Sequence, residues 1–172
     1  VNPMSTATFL LPDAGATEAA GARLAPTLEG GMVVTGSGDL GAGKTTLVRG
    51  CLRALGWQGV VKSPSYPLVE HYPLSSLYFY HFDFYRFADP SEWETAGLAD
   101  CFHESSACLI EWPERVAGRL PIPDLALTLT YLSLLVLIPL TGLFLKTAGM
   151  TWEAFWAAVG NPRALAAYRL AI

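Results

Sequence analysis

The spacing G-x-x-x-x-G-K-T, met at Gly38, Gly43, Lys44 and Thr45, constrains this chain more than any other feature it has. Such a spacing makes a phosphate-binding loop when a strand leads into it and a helix leads out. Both flanks are present: "GMVVTG" is an apolar run of strand length, and in "KTTLVRGCLRAL" the residues Leu47, Val48, Cys51, Leu52 and Leu55 recur at helical spacing. Glycines let main-chain amides close on an anion at a helix N-terminus, Lys44 reaches the outer phosphates, and Thr45 offers its hydroxyl to Mg²⁺. Gly41 and the small Ala42 suit the same crowding, and Leu40 and Thr46 are counted with them as nucleotide-binding positions. A tight glycine turn with no ligand is the competing reading; the complete spacing in its strand and helix context weighs against it.

Around the loop, strand and helix patterns alternate. "TATFLL" reads as a first strand and "ATEAAGARLAPTL" as a helix; beyond the loop, "YPLVEHY" and "LYFYHFDFY" alternate as strands, and "ACLIEW" is a buried one. Asp89 reads as an N-cap, with Pro90 at N1 and Glu92 at N3, opening a short helix "PSEWETAGL". The fold class expected is α/β, a P-loop NTPase with a mainly parallel sheet flanked by helices. "RLPIPD" at 119–124 is the expected linker.

Hydrolysis needs more than a phosphate loop: an acid for the metal and a group to orient water. Two carboxylates end hydrophobic strands, Asp83 in "YHFDFYR" and Glu111 in "CLIEW", where such groups are useful. The bland alternative for each is an acid at a strand end facing solvent. His81 reads as a packing residue or as a proton carrier, Arg86 as a phosphate partner or the partner of a carboxylate, and Trp112 as a neighbour of the nucleotide or part of the core.

Composition narrows the setting. The chain has 172 residues and a net charge of −4, with no general electrostatic reason to bind nucleic acid. Cys51, Cys101 and Cys108 lack C-x-x-C spacing and fit a reducing, cytoplasmic setting. No Lys or Arg precedes Arg23, so the N-terminus lacks the basic region of a secretory signal. Residues 1–124 carry 8 basic and 14 acidic side chains, whereas 125–172 carry 3 and 1. The 21 residues between Asp124 and Lys146 hold no formal charge, which meets the length of a membrane span over about 125–145. "DLALTLTY" at its start alternates like the last strand of an α/β domain.

"GDLGAGKTTLVRG", "VKSPSYPLVEHY", "YHFDFYRFADPSEWETAGL" and "CLIEWPER", in this order, resemble the TsaE family of P-loop ATPases over roughly residues 5–130. The resemblance implies an ATP-binding and ATP-hydrolysing protein of tRNA threonylcarbamoyladenosine biosynthesis that associates with TsaB and TsaD, meeting tRNA only through that complex. It implies that Lys44 and Thr45 are the phosphate and Mg²⁺ residues, and Ser63, Pro64 and Ser65 a nucleotide-responsive switch segment. Asp83 resembles the acid of the family's motif, and Glu111 the acid that helps with Mg²⁺ or water. Catalysis is therefore expected of Lys44, Asp83 and Glu111, metal contact of Thr45, Glu111 and Asp83, and nucleotide contact of Ser63, Ser65 and Trp112 as well as the loop. Two departures fall in the switch segment. Ser65 stands where family members usually have the stiffer threonine, and Pro67 stands where a threonine is usual and would weaken the ladder of "YPLVEHY" unless that N–H position faces outward.

From about Tyr131 the text no longer looks like TsaE and resembles the N-terminal part of a CysT-type sulfate ABC transporter permease. The expected domains are 1–130, the ATPase, and 131–172, a hydrophobic helical tail. A join between genes, a genuine fusion and chance similarity are the three explanations, and the join is favoured because the break falls inside a strand. A membrane-tethered ATPase or permease fragment and a small-molecule P-loop kinase, with Arg86, Arg115 and Arg119 as clamp, are the alternatives in function. A GTPase is disfavoured because Asn2 and Asn161 are each followed by proline, leaving no N-K-x-D motif, and no LSGGQ-like signature marks an ABC ATPase.

Overall fold

The computed structural model describes residues 6–75 and 77–130. The tail 131–172, with its permease-like reading and most of the expected membrane span, lies outside the described residues. Helix α1 (Ala14–Leu24) leads to β1 (Val33–Ser37), the phosphate loop, α2 (Lys44–Ala54), β2 (Val69–Pro73), β3 (Tyr78–Asp83), the single turn α3 (Glu92–Thr95), β4 (Ser106–Glu111) and β5 (Leu125–Thr128). The sheet order is β2-β3-β4-β1-β5, with β1, β3, β4 and β5 parallel and β2 antiparallel at one edge. The expected α/β class with a mainly parallel sheet is what the chain forms.

The two-residue period of the strands divides the core into two faces. Val34, Phe79, Ala107 and Leu109 pack with Leu47, Val48, Cys51 and Leu52 of α2, while Val33, Phe82, Cys108 and Ile110 pack with Phe84, Phe87, Trp93, Leu98 and Val116. β4 is buried along its whole length, which is why "ACLIE" is continuously apolar up to its final acid. The same period puts His81, Asp83 and Glu111 on the face that meets α2.

The helices α1 and α2 approach closely through glycine. A Cβ on Gly21 would run into the Leu47 carbonyl and one on Gly50 into the Glu18 carbonyl, and Cys51 Sγ donates to the Gly21 carbonyl at 3.0 Å. Asp13 caps α1 by accepting from the Ala16 N–H at 2.7 Å. Arg49 adds a half-exposed ion pair to Glu18.

Four sequence expectations need correction. "TATFLL" joins no strand: residues 6–12 pair with nothing in the sheet, and Phe9 and Leu10 are 76% and 74% exposed. Its alternation is real, but both ladder positions beside β1 are filled, by β4 and β5. The helix opened by Asp89 shrinks to one turn starting at Glu92, although the capping chemistry forms: Asp89 Oδ1 accepts from the Ser91 N–H, and Glu92 Oε1 from the Asp89 N–H at 2.9 Å. Pro67 lies in the turn before β2, so the ladder from Val69 to Pro73 is intact. Finally, residues 125–128, counted in the expected span of about 125–145, belong to no membrane helix, and the strand reading of "DLALTLTY" is the one that holds there. They form a strand on β1 whose Leu125 and Leu127 face the core, and among the described residues no helix is long and apolar enough to cross a membrane.

The linker 119–124 is tied down at its end. Asp124 Oδ2 accepts from the Val33 N–H at 2.9 Å, and the Asp124 N–H donates to the Val33 carbonyl, so the chain enters β5 in register.

Candidate functional site

The phosphate loop leaves the C-terminal end of β1 and enters α2, and β3 and β4 end beside it. This is where a parallel sheet presents ligands. Gly38 (φ 140°) and Gly43 (φ 101°) hold left-handed backbone that side chains avoid. At Gly38 the space is closed as well, since a Cβ would meet the Leu129 carbonyl; the Leu129 N–H in turn donates to the Ser37 carbonyl at 2.9 Å. Ala42 closes the loop's turn by donating to the Asp39 carbonyl.

Lys44 is buried to 5% exposure and has no carboxylate partner among the described residues. Its ammonium donates to the Gly38 carbonyl at 2.6 Å and the Asp39 carbonyl at 2.9 Å, and lies 4.1 Å from the Trp112 ring centroid. Burial lowers its pKa, opposed by the fields of Glu111, Asp83, Glu114 and Asp39. A cation so held is set to receive an anion.

The strand ends supply the acids. Asp83 and Glu111 are register partners across β3 and β4, and Gly36 of β1 is the partner of Glu111 on the other side. Both acids are 3% exposed, which removes the solvent-facing alternative. Glu111 Oε1 accepts from the Thr45 hydroxyl at 2.7 Å and pairs with His81 Nε2 at 2.8 Å. Asp83 accepts a short hydrogen bond from Ser63 and another from the Tyr85 N–H at 2.9 Å. One acid is thus linked to the first turn of α2 and the other to Ser63, in the segment between α2 and β2.

These groups line a cleft of about 320 Å³. Of the positions expected from sequence, Leu40, Gly41, Gly43, Lys44, Thr45, Thr46, Ser63, Ser65, Asp83, Glu111 and Trp112 line it. Gly38 and Ala42 shape the loop from behind. Trp112 stands in left-handed backbone (φ 60°) directly after Glu111, which turns its ring toward Lys44. Sequence reading passed over Tyr85, which lines the cleft, and Tyr66, whose ring carries the Arg86 guanidinium at 3.9 Å. Their position beside "SPS" and "FDF" was the available signal. Of the three arginines of the kinase alternative, Arg86 lines the cleft, Arg119 pairs with Glu94, and Arg115 lies 6.0 Å from the Tyr85 ring.

The residues fit Mg²⁺ bound with a nucleotide. Among the described residues no cluster of three His, Cys, Asp or Glu is placed to hold a metal, and Mg²⁺ at such sites takes one or two side-chain oxygens with the rest from phosphate and water. The adjoining oxygens of Thr45 and Glu111 are a donor set of that kind.

The family model for "Threonylcarbamoyl adenosine biosynthesis protein TsaE" matches residues 11–133. A protein of Haemophilus influenzae named for tRNA threonylcarbamoyladenosine biosynthesis, TsaE, is 52% identical over 103 residues, 60% of this chain and 65% of that protein. The Bacillus subtilis protein of the same name is 42% identical over 91 residues, 53% of this chain and 56% of the relative, and that of Treponema pallidum 39% over 106 residues, 62% and 78%. The chain therefore spans a little under two thirds of the length of the first of these relatives and less of the second. The crystal structure of YdiB from Bacillus subtilis superimposes with a TM-score of 0.58 at 31% identity, covering 69% of this chain and 72% of that one. With the phosphate loop, the paired acids and this match in agreement over the same residues, the chain belongs to the TsaE family.

Proposed function

We propose that this chain is an Mg²⁺-dependent ATPase that supports formation of N6-threonylcarbamoyladenosine in tRNA together with TsaB and TsaD homologues, with tRNA contacted through the complex. The observation that carries the nucleotide reading is Lys44: a buried ammonium with no carboxylate partner among the described residues, resting on loop carbonyls and lining a cleft that also holds the Thr45–Glu111 pair. Thr45 and Glu111 would hold the metal, which neutralises charge on the phosphates. Lys44 and the loop amides bind the phosphates, and Trp112 covers the ammonium from the side. Asp83 fixes Ser63, so the switch segment would be anchored at an acid of the cleft. The role in tRNA modification is supported by the family and by the names of the relatives. The ATPase is assigned to residues 1–130; the permease-like reading of 131–172 rests on the sequence alone.

The test is reconstitution. The full chain, purified TsaB and TsaD homologues, tRNA, Mg-ATP and the threonylcarbamoyl donor are combined, and modified nucleoside is counted in tRNA digests. Omission of the chain, or Lys44→Ala, is expected to stop multiple turnover. Undiminished modification in either case would refute the proposal.

A further inference from the structure

Among the described residues Arg86 is the one arginine lining the cleft, and none of them gives it the carboxylate partner that arginines near acids usually find. Among the described residues it forms no ion pair, although Asp83 is three positions away. The nearby carboxylates are already committed, Asp83 to Ser63 and the Tyr85 N–H, Glu111 to Thr45 and His81. The guanidinium instead lies on the ring of Tyr66, which is 80% exposed, and a cation–π contact in water is weak and easily given up. The two partners differ in how they are held. Arg86 leaves a tight turn clamped by buried Phe84 and Phe87, with the Phe87 N–H donating to the Phe84 carbonyl, whereas Tyr66 follows directly on Ser63, Pro64 and Ser65.

We propose that Arg86 is a catalytic residue that contacts the terminal phosphoryl group of the bound nucleotide, supplied in cis, and that Tyr66 stores its guanidinium when no triphosphate is present. Planar bidentate donors suit phosphate oxygens, and charge developing on a transferring phosphoryl is what such an arginine stabilises. Moving from Tyr66 to the phosphate releases the ring, so the switch segment feels whether the third phosphate is there. The inference rests on the ATPase reading above and adds to it the group that tells triphosphate from diphosphate.

The full chain and its Arg86→Ala, Arg86→Lys, Tyr66→Ala and Lys44→Ala variants are titrated by calorimetry with Mg-ADP and with the Mg complex of a non-hydrolysable imido analogue of ATP, and phosphate release is followed in single turnovers. Arg86→Ala is expected to keep ADP affinity within about twofold, to lose about tenfold or more in analogue affinity, and to slow release by about a hundredfold or more. Arg86→Lys should restore little, because the ammonium lacks the fork. Tyr66→Ala should leave ADP binding unchanged and strengthen analogue binding by removing the storage site. Arg86→Ala with an unchanged analogue-to-ADP ratio overturns the inference and leaves the ATPase reading standing. If the parent chain binds nucleotide no better than Lys44→Ala, both fall.

Discussion

His81 Nε2 lies 2.8 Å from Glu111 Oε1, the same oxygen that accepts the Thr45 hydroxyl, and the imidazole is wholly buried. With Glu111 ionised, Nε2 is the donor, and Nδ1 is left buried without a partner among the described residues. The imidazole therefore orients the acid from beneath. His81→Phe leaves that oxygen to the Thr45 hydroxyl alone and should cost about 1–3 kcal/mol in urea unfolding, whereas His81→Gln, which keeps an N–H, should recover part of it. Equal losses for the two variants would show that volume rather than the hydrogen bond matters.

Lys44 carries an opposite expectation for fold and function. Burial lowers its pKa, so the folded chain holds that proton less well than the unfolded one. The charge thus opposes folding below the folded pKa, and stability from this group rises as pH climbs toward 10.5. Lys44→Met should be at least as stable as the parent at pH 7 by thermal melting, while nucleotide binding is lost. A clear drop in melting temperature would mean that the two carbonyl hydrogen bonds outweigh desolvation.

At high pH the core thiols reverse that sign. Burial pushes Cys51 and Cys108 from 9.0 to about 12, and Tyr72 from 10.0 to about 12. Raised acids give stability that is whole below their unfolded values and drains away as pH rises from 9 through about 12. Unfolding free energy should fall by a few kcal/mol, on the order of the thiol shifts, between pH 9 and 11. Cys108→Ala should flatten that limb; a slope unchanged by the substitution would place the sensitivity elsewhere.

The contact of α1 with α2 predicts a sharp asymmetry among glycines. Gly50→Ala drives a methyl into the Glu18 carbonyl and should cost about 3 kcal/mol or more. Gly15→Ala, whose nearest neighbour is the Asp13 side chain at 3.3 Å, should stay within about 1 kcal/mol of the parent because helix propensity favours alanine. Similar melts for the two would show that the helices can separate at little cost.

What the sequence reveals depends on how far apart the cooperating residues lie along it. The phosphate loop is legible because its geometry is local: glycines, lysine and threonine act within eight positions. β4 is legible because a strand buried on both faces must be apolar throughout, so its closing acid stands out. The storage of Arg86 on Tyr66 is not, because twenty positions and the β2–β3 hairpin separate them. Nor does alternation alone say whether a strand finds an edge, which is why "TATFLL" reads like "LALT" yet only the second pairs. After Asp124 the alternation of "DLALTLTY" does show the strand, and what hydropathy leaves open is where that strand stops, since leucines at every second position suit a span as well as a half-buried ladder.

The meeting of Gly38 with Leu129 ties the mould of the anion cradle to the far end of the domain. Shortening the polypeptide at 124, however natural that cut looks, would remove the wall against which the cradle is cast. An inert trimmed protein would then report a missing buttress, although every group that lines the cleft was still part of the chain.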